Sequence, residues 1–253
     1  MTKKIISSCA LGFIALGYSN LTHAETKHTH KLSLGLAVAQ SQSIYEGGKD
    51  RTQAFPAIDY KYKRFYFQGG ELGFHVVDSK LWDLKIGIGA DFIGDKDRGD
   101  SPELKDMSSL GFPVSAGIEA TYKSPIGYFS ARQTHEITNK HGGSSFKLGY
   151  SAYIPVKSWV LIPSLSWQKY SDDVVNYYFG VDAASVTEDR PLYQTGSSAT
   201  KNLAVMVLKP ITEKVRFLGN VGVTQYGNEV TNSPIISEDH SLSVFMGFTY
   251  KIF

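Results

Sequence analysis

Apolar side chains recur at every second position along most of this chain. Leu32, Leu34, Leu36 and Val38 alternate with Ser33, Gly35 and Ala37, the period of a strand with one apolar face. Over residues 81–93, Trp82, Leu84, Ile86, Ile88, Ala90 and Phe92 alternate with Asp83, Lys85, Gly87, Gly89 and Asp91. That run exceeds the usual soluble strand of about 5–6 residues and suits a tilted transmembrane strand. Residues 240–253 repeat the design, with Leu242, Val244, Met246, Phe248, Tyr250 and Ile252 on one face and Ser241, Ser243, Gly247, Thr249 and Lys251 on the other.

The same period predicts twelve strands, at residues 31–40, 54–61, 64–69, 72–78, 81–93, 112–123, 127–138, 144–154, 158–170, 201–209, 214–226 and 240–253. Their connections sort by length. Residues 41–51, 94–110, 139–143, 171–198 and 227–239 make long links on one side, whereas 62–63, 79–80, 124–125, 155–157 and 210–213 make short ones on the other. The Gly69-Gly70 turn is the one short link among the long ones. An even strand number, short periplasmic turns and longer outer loops describe a bacterial outer-membrane barrel. The expected fold is therefore an all-β transmembrane antiparallel β-barrel of about 12 strands, spanning residues 31–253. If residues 64–78 formed a single bent strand, the parity would fail.

The N-terminus fits this destination. Lys3 and Lys4 precede an apolar stretch over residues 5–18, and Thr22-His23-Ala24 has the small residues of a signal-peptidase site. Cleavage is expected after Ala24, leaving residues 25–30 as a polar periplasmic lead-in. The apolar stretch is too short for a spanning helix of about 20 residues. Cys9 lies inside it, so the mature chain has no cysteine and no disulfide. The full chain has 26 Lys and Arg against 24 Asp and Glu. Loss of Lys3 and Lys4 leaves 24 against 24, with no basic field for nucleic acid. Glycine is frequent at 24 residues and only 20% of the chain is charged, as glycine-punctuated strands require.

If the apolar faces meet lipid, the opposite faces line a lumen containing Asp59, Lys61, Arg64, Asp83, Lys85, Asp91, Glu119, Lys123, Arg132, Glu136, Lys147 and Arg216. Charges of both signs would neutralise one another across it, which favours a filled or constricted barrel over an open pore. No metal-binding set such as H-E-x-x-H and no G-x-S-x-G elbow occurs, and no cofactor is implied. A barrel lipid hydrolase would need Ser and His on neighbouring strands at the lipid-facing rim, where His135 is the strand histidine to consider.

The loop residues carry a resemblance. Tyr45-Glu46-Gly47 with Pro56, Asp97-Arg98-Gly99, Asn176-Tyr177-Tyr178-Phe179-Gly180-Val181 with Tyr193, Asn232-Ser233-Pro234-Ile235 and Gly247-Phe248-Thr249-Tyr250 follow one another in the order and spacing of the MipA/OmpV family, the MltA-interacting proteins of the outer membrane. The resemblance implies an outer-membrane barrel without catalytic residues. For the best-known member it implies a scaffold joining a lytic transglycosylase to a murein synthase; other members are described as porin-like, adhesive or stress-linked. The barrel-assembly machinery and outer-membrane lipid are the further expected partners. Tyr250 and Phe253 would form the C-terminal assembly signal, although Phe253 stands one residue out of phase with the apolar face. Either a bulge near Lys251 restores the register or the signal is weakened.

Overall fold

The computed structural model describes residues 30–91 and 93–253. The expected leader, the lead-in up to residue 29 and Phe92 lie outside them. Thirteen strands among the described residues form one antiparallel sheet: β1 Lys31–Ser41, β2 Arg51–Tyr62, β3 Phe65–Gln68, β4 Glu71–Asp78, β5 Trp82–Ala90, β6 Val114–Ser124, β7 Gly127–Glu136, β8 Ser144–Ser151, β9 Ile154–Val156, β10 Trp159–Tyr170, β11 Ser198–Pro210, β12 Val215–Tyr226 and β13 His240–Lys251. Because β8 and β9 both pair with β10, they make one interrupted stave and the barrel has twelve. Each stave is bonded to its sequence neighbour, and β13 pairs with β1 to close the ring.

Closure is what lets strands span a membrane, because no backbone group is left facing hydrocarbon at an open seam. Nine residue pairs hold this one, from Ser33↔Lys251 to Ser41↔Ser243. Gly35 makes the close approach possible, since a methyl group there would run into the carbonyl oxygen of Phe248. The alternating face points to lipid: Leu36 is 74% exposed, and Leu72, Ile88, Leu165, Leu203, Met246 and Phe248 are exposed with it.

Several boundaries differ from the sequence expectation. Residues 64–78 do form two strands, so the parity holds, but β3 has only four residues. The run expected to extend to residue 93 ends at Ala90, because the Asp91 carboxylate caps the turn by accepting from the Ile93 N–H at 3.1 Å. The β9–β10 turn falls at residues 157–158 rather than 155–157, with Lys157 in the left-handed region at φ 55. The long link over residues 171–198 contains helix α1, Asp172–Phe179, and a second short helix α2, Asn228–Thr231, lies in the last loop.

Replacing Gly35 by Ala is expected to destabilise the barrel by about 1–3 kcal/mol, read as loss of the compact, SDS-resistant band on unheated gels. Leu36→Ala, which removes only lipid-facing atoms, is the control and should leave the band in place.

Candidate functional site

The site is the lumen together with the plug that covers its outer mouth. Inward positions of β4 to β8 carry the charges. The Glu71 carboxylate accepts from both Tyr66 Oη and the Arg132 guanidinium. Arg132 also reaches Glu119 at 3.4 Å, and Glu119 is held by Lys85 Nζ at 2.8 Å. Glycines make room for this network. A side chain at Gly73 would collide with the Tyr66 ring, and one at Gly87 would meet Glu71 at 2.7 Å. Two further groups flank it: Asp78 binds Lys61 at 3.5 Å and Lys123 at 3.2 Å, and buried His75 contacts Asp83 at 2.7 Å.

A cavity of about 300 Å³ runs along the lumen, and Asp83, Lys85, Asp91, Glu119, Lys123, Arg132 and Lys147 line it. The other five residues assigned to the lumen from sequence sit elsewhere. Asp59 has Arg216, Lys61 and Lys31 as its charged neighbours, near the periplasmic opening. Glu136 is spent on the β7–β8 loop, where its carboxylate accepts from the N–H groups of Lys140, His141 and Gly142 at 2.8, 3.1 and 2.9 Å. Arg64 is a correction: it lies in the β2–β3 turn, exposed, donating to the Val76 carbonyl at 3.1 Å. Glu71, Asp78 and His75 were missed. Glu71 adjoins the Gly-Gly turn and reads as loop, and an alternation argument that starts from long runs gives the eight-residue β4 little weight.

Outer loops fold back into the mouth as an apolar plug. Ile44, Tyr45, Leu104, Met107, Val174, Val175, Tyr178, Phe179, Val181, Val230 and Ile235 are all buried in one cluster. On α1 the buried Val174, Val175, Tyr178 and Phe179 share one helical face. The loop motifs are its fasteners. Tyr45 Oη donates to the Tyr178 carbonyl at 3.4 Å, Ser233 Oγ to the Phe179 carbonyl at 2.5 Å, and Tyr177 Oη to the Gly111 carbonyl at 3.1 Å. Arg98 is buried and donates to the Ser108 carbonyl at 2.8 Å. Gly47 and Gly99 occupy the left-handed region at φ 62 and 68, where a side chain would be strained. Gly180 ends α1, donating to the Asn176 carbonyl at 2.9 Å, and Asn232 caps α2 ahead of Ser233 and Pro234. Asp97 accepts from Arg51 at 3.0 Å. Burial pushes the Tyr178 hydroxyl well up, so it stays protonated. Tyr178 Oη, Arg98 Nε and His141 Nε2 have no hydrogen-bond partner among the described residues.

Residues 34–252 match the family described as MltA-interacting protein MipA. The chain belongs to that family. Over 99% of its length it is 21% identical to the putative outer membrane protein YiaT of Escherichia coli (strain K12), covering 99% of that protein. It is 22% identical to the MltA-interacting protein of the same strain, with 99% and 100% covered, and 28% identical to outer membrane protein Omp26La of Vibrio anguillarum over 55% and 54% of the two chains. Among solved structures, the outer membrane channel DcaP of Acinetobacter baumannii aligns with 92% of this chain and 100% of its own at 8% identity and a TM-score of 0.38. This family member is an outer-membrane β-barrel. The loop residues that carried the family resemblance are those that build the plug.

No group of three or more metal-ligating side chains occurs among the described residues. His135 faces outward, with Ser144 as its cross-strand partner, but no hydrogen bond joins the two among the described residues.

Arg132 serves two carboxylates, so its loss leaves Glu71 and Glu119 under-compensated inside the barrel. Arg132→Met is expected to cost about 3 kcal/mol or more in urea unfolding of the barrel in lipid vesicles, followed by tryptophan fluorescence. Lys123→Met should cost much less, since Asp78 keeps Lys61.

Proposed function

We propose that this barrel is a non-enzymatic scaffold of the outer membrane that holds murein-remodelling enzymes, a hydrolase and a synthase, against the inner face of the membrane. One observation carries the reading: the outer loops pack a buried apolar cluster across the mouth, which suits a barrel whose work is done by its surface rather than by flow. The relative named MltA-interacting protein supports the choice of partner. The periplasmic turns are short, so the docking surface is the rim itself. There Leu81, Ile126, Tyr153 and Ile211, at the turns, and Ile154 and Val156, on the short β9 beside them, are exposed apolar residues. A cleaved leader over residues 1–24, a periplasmic lead-in over residues 25–30, delivery by the barrel-assembly machinery through Tyr250 and Phe253, and lipid contact by the outward face complete the reading.

A narrow, porin-like channel is the second reading, supported by the polar lumen cavity. It requires the plug to move.

Two measurements separate these readings. The purified barrel, fully reconstituted, should leave planar bilayers electrically silent, while Val174→Asp, which places a charge inside the plug, should produce conductance steps. Discrete steps from the unaltered protein would sink the scaffold. In crosslinking pull-downs, Ile126→Asp with Val156→Asp should lower capture of a lytic transglycosylase at least fivefold; unchanged capture would remove the rim from the reading.

A further inference from the structure

Charge is sorted along the barrel axis. At the outer end the loop over residues 171–197 holds Asp172, Asp173, Asp182, Glu188 and Asp189 against Arg190 alone. At the other end every short turn has a lysine within or beside it: Lys63, Lys80, Lys123, Lys157 and Lys214. Of the acids at these turns, Asp78 is already shared by Lys61 and Lys123 at 3.5 and 3.2 Å, which leaves Glu213. The periplasmic end therefore presents a ring of net positive charge.

Two lysines of the β11–β12 hairpin are placed differently from those at the turn tips. Leu203 is on the lipid face of β11, and Lys209, six residues on, shares that face. Its Nζ lies 4.4 Å from the centre of the Trp159 ring, and Lys214 Nζ lies 5.9 Å from that of Tyr250. Both rings are themselves outward, 37% and 46% exposed. The two ammonium groups are thus held against the outer wall, in the aromatic belt where headgroups meet hydrocarbon, rather than lowered into the periplasm. Neither makes an ion pair among the described residues.

The wall above them is apolar and continuous. Lys209 stands opposite Phe217 and Phe217 opposite Phe248, with the two rings 5.3 Å apart. Further up, Leu165, Leu203 and Val223 lie side by side and exposed. From Lys209 to Leu203 is about 20 Å along the strand. On a strand tilted by about 40° that is a depth of about 15 Å, one leaflet of hydrocarbon.

We infer that the outward face of β10 to β13 binds an anionic phospholipid of the inner leaflet, its phosphodiester held by Lys209 and Lys214 beside the Trp159 indole and its acyl chains on Phe217, Leu203 and Leu165. Phosphatidylglycerol and cardiolipin share this chemistry, whereas in phosphatidylethanolamine the ammonium cancels the phosphate. Murein also carries carboxylates, but it would meet the turn-tip lysines first. The site needs only the orientation of the barrel in the membrane and no murein-enzyme partner.

The test mixes the full mature barrel, in a neutral detergent, with equal amounts of dioleoyl-phosphatidylglycerol and dioleoyl-phosphatidylethanolamine, and counts retained lipid by native mass spectrometry. Each lysine near a headgroup favours an anionic lipid by about fivefold, so phosphatidylglycerol should be retained at least tenfold over phosphatidylethanolamine. Lys209→Gln with Lys214→Gln should bring that ratio below threefold. Lys80→Gln with Lys157→Gln, which removes the same charge from turn tips, should leave it unchanged, and the compact gel band checks that both variants are folded. Trp159→Leu should lower the ratio about threefold. Tetraoleoyl-cardiolipin separates the sources: retention more than twofold higher per phosphate than phosphatidylglycerol assigns the doubly charged lipid, and equal retention per phosphate assigns the single phosphodiester. Equal retention of phosphatidylglycerol and phosphatidylethanolamine by the unaltered barrel would overturn the site. An equal loss in the Lys80 and Lys157 variant would do the same, because it would leave only a diffuse field. If the Lys209 and Lys214 variant instead stops pelleting with murein sacculi while keeping its phosphatidylglycerol, the surface belongs to murein and the inference fails.

Discussion

Everything in this molecule follows from the need to satisfy backbone hydrogen bonds in a medium that supplies none. Each unpaired N–H or C=O in hydrocarbon costs several kcal/mol, so the chain cannot end its sheet on an exposed edge. The β1–β13 ladder meets that need over nine residue pairs. Once the sheet is closed, the period of two assigns every side chain to lipid or lumen, and the polar residues have no other place to go. The charge network is a consequence. Glu71, Arg132, Glu119 and Lys85 face inward because alternation puts them there, and they bind one another because isolated charges in a narrow interior are penalised.

That logic explains which parts were legible. The long alternating runs of β1, β10, β12 and β13 are plain in the residue order, and the asymmetry of link lengths separates one end of the barrel from the other. The lumen side of β5 to β8 was equally readable, because Asp83, Lys85, Glu119, Arg132 and Lys147 interrupt apolar neighbours at strict spacing. Alternation fails where the chain stops obeying it. Asp91 lines the cavity as expected, but it also ends the β5 run by turning its carboxylate onto its own backbone, and nothing in the residue types announces that end. Glu136 fails in the same way, since whether it faces a cavity or gathers a loop depends on the left-handed turn at Asn139 and Gly142.

The plug was the least visible part. Its members come from four separate loops, and α1 is only eight residues long, too short for periodicity to stand out from the surrounding polar chain. The signal lay in residue identity instead. Tyr45, Tyr177, Tyr178 and Phe179 are large aromatics in segments that otherwise read as solvent-exposed loops, and such residues bury well over 150 Å² each when they find a core. Aromatic loops on a barrel with a polar lumen have one apolar place available, which is against one another across the mouth. The plug and the charged lumen are therefore complementary solutions. The first fills the end of the barrel with groups that need no partner, and the second fills its length with groups that must have one.

The chain terminus shows how a one-residue irregularity can be hidden in a regular pattern. Alternation places Ile252 with the apolar face and leaves Phe253 on the wrong side. In the structure Leu32 is shared: its N–H donates to the Phe253 carbonyl at 3.1 Å while its own carbonyl accepts from the Ile252 N–H at 2.8 Å. Two residues of one strand thus oppose one of the other, the arrangement of a β-bulge. Both side chains remain exposed. The bulge lies one step beyond Lys251, where the regular ladder ends, so it shifts the phase of Phe253 without disturbing the nine pairs above it. His30 completes the arrangement, stacking on Tyr62 at 4.0 Å and meeting the Phe253 ring edge-on at 6.2 Å. The first described residue and the last therefore hold the same corner of the seam. A bulge anywhere higher would have turned Tyr250 and Phe248 away from lipid, so the position that corrects the terminal phase is also the one that costs the ladder least.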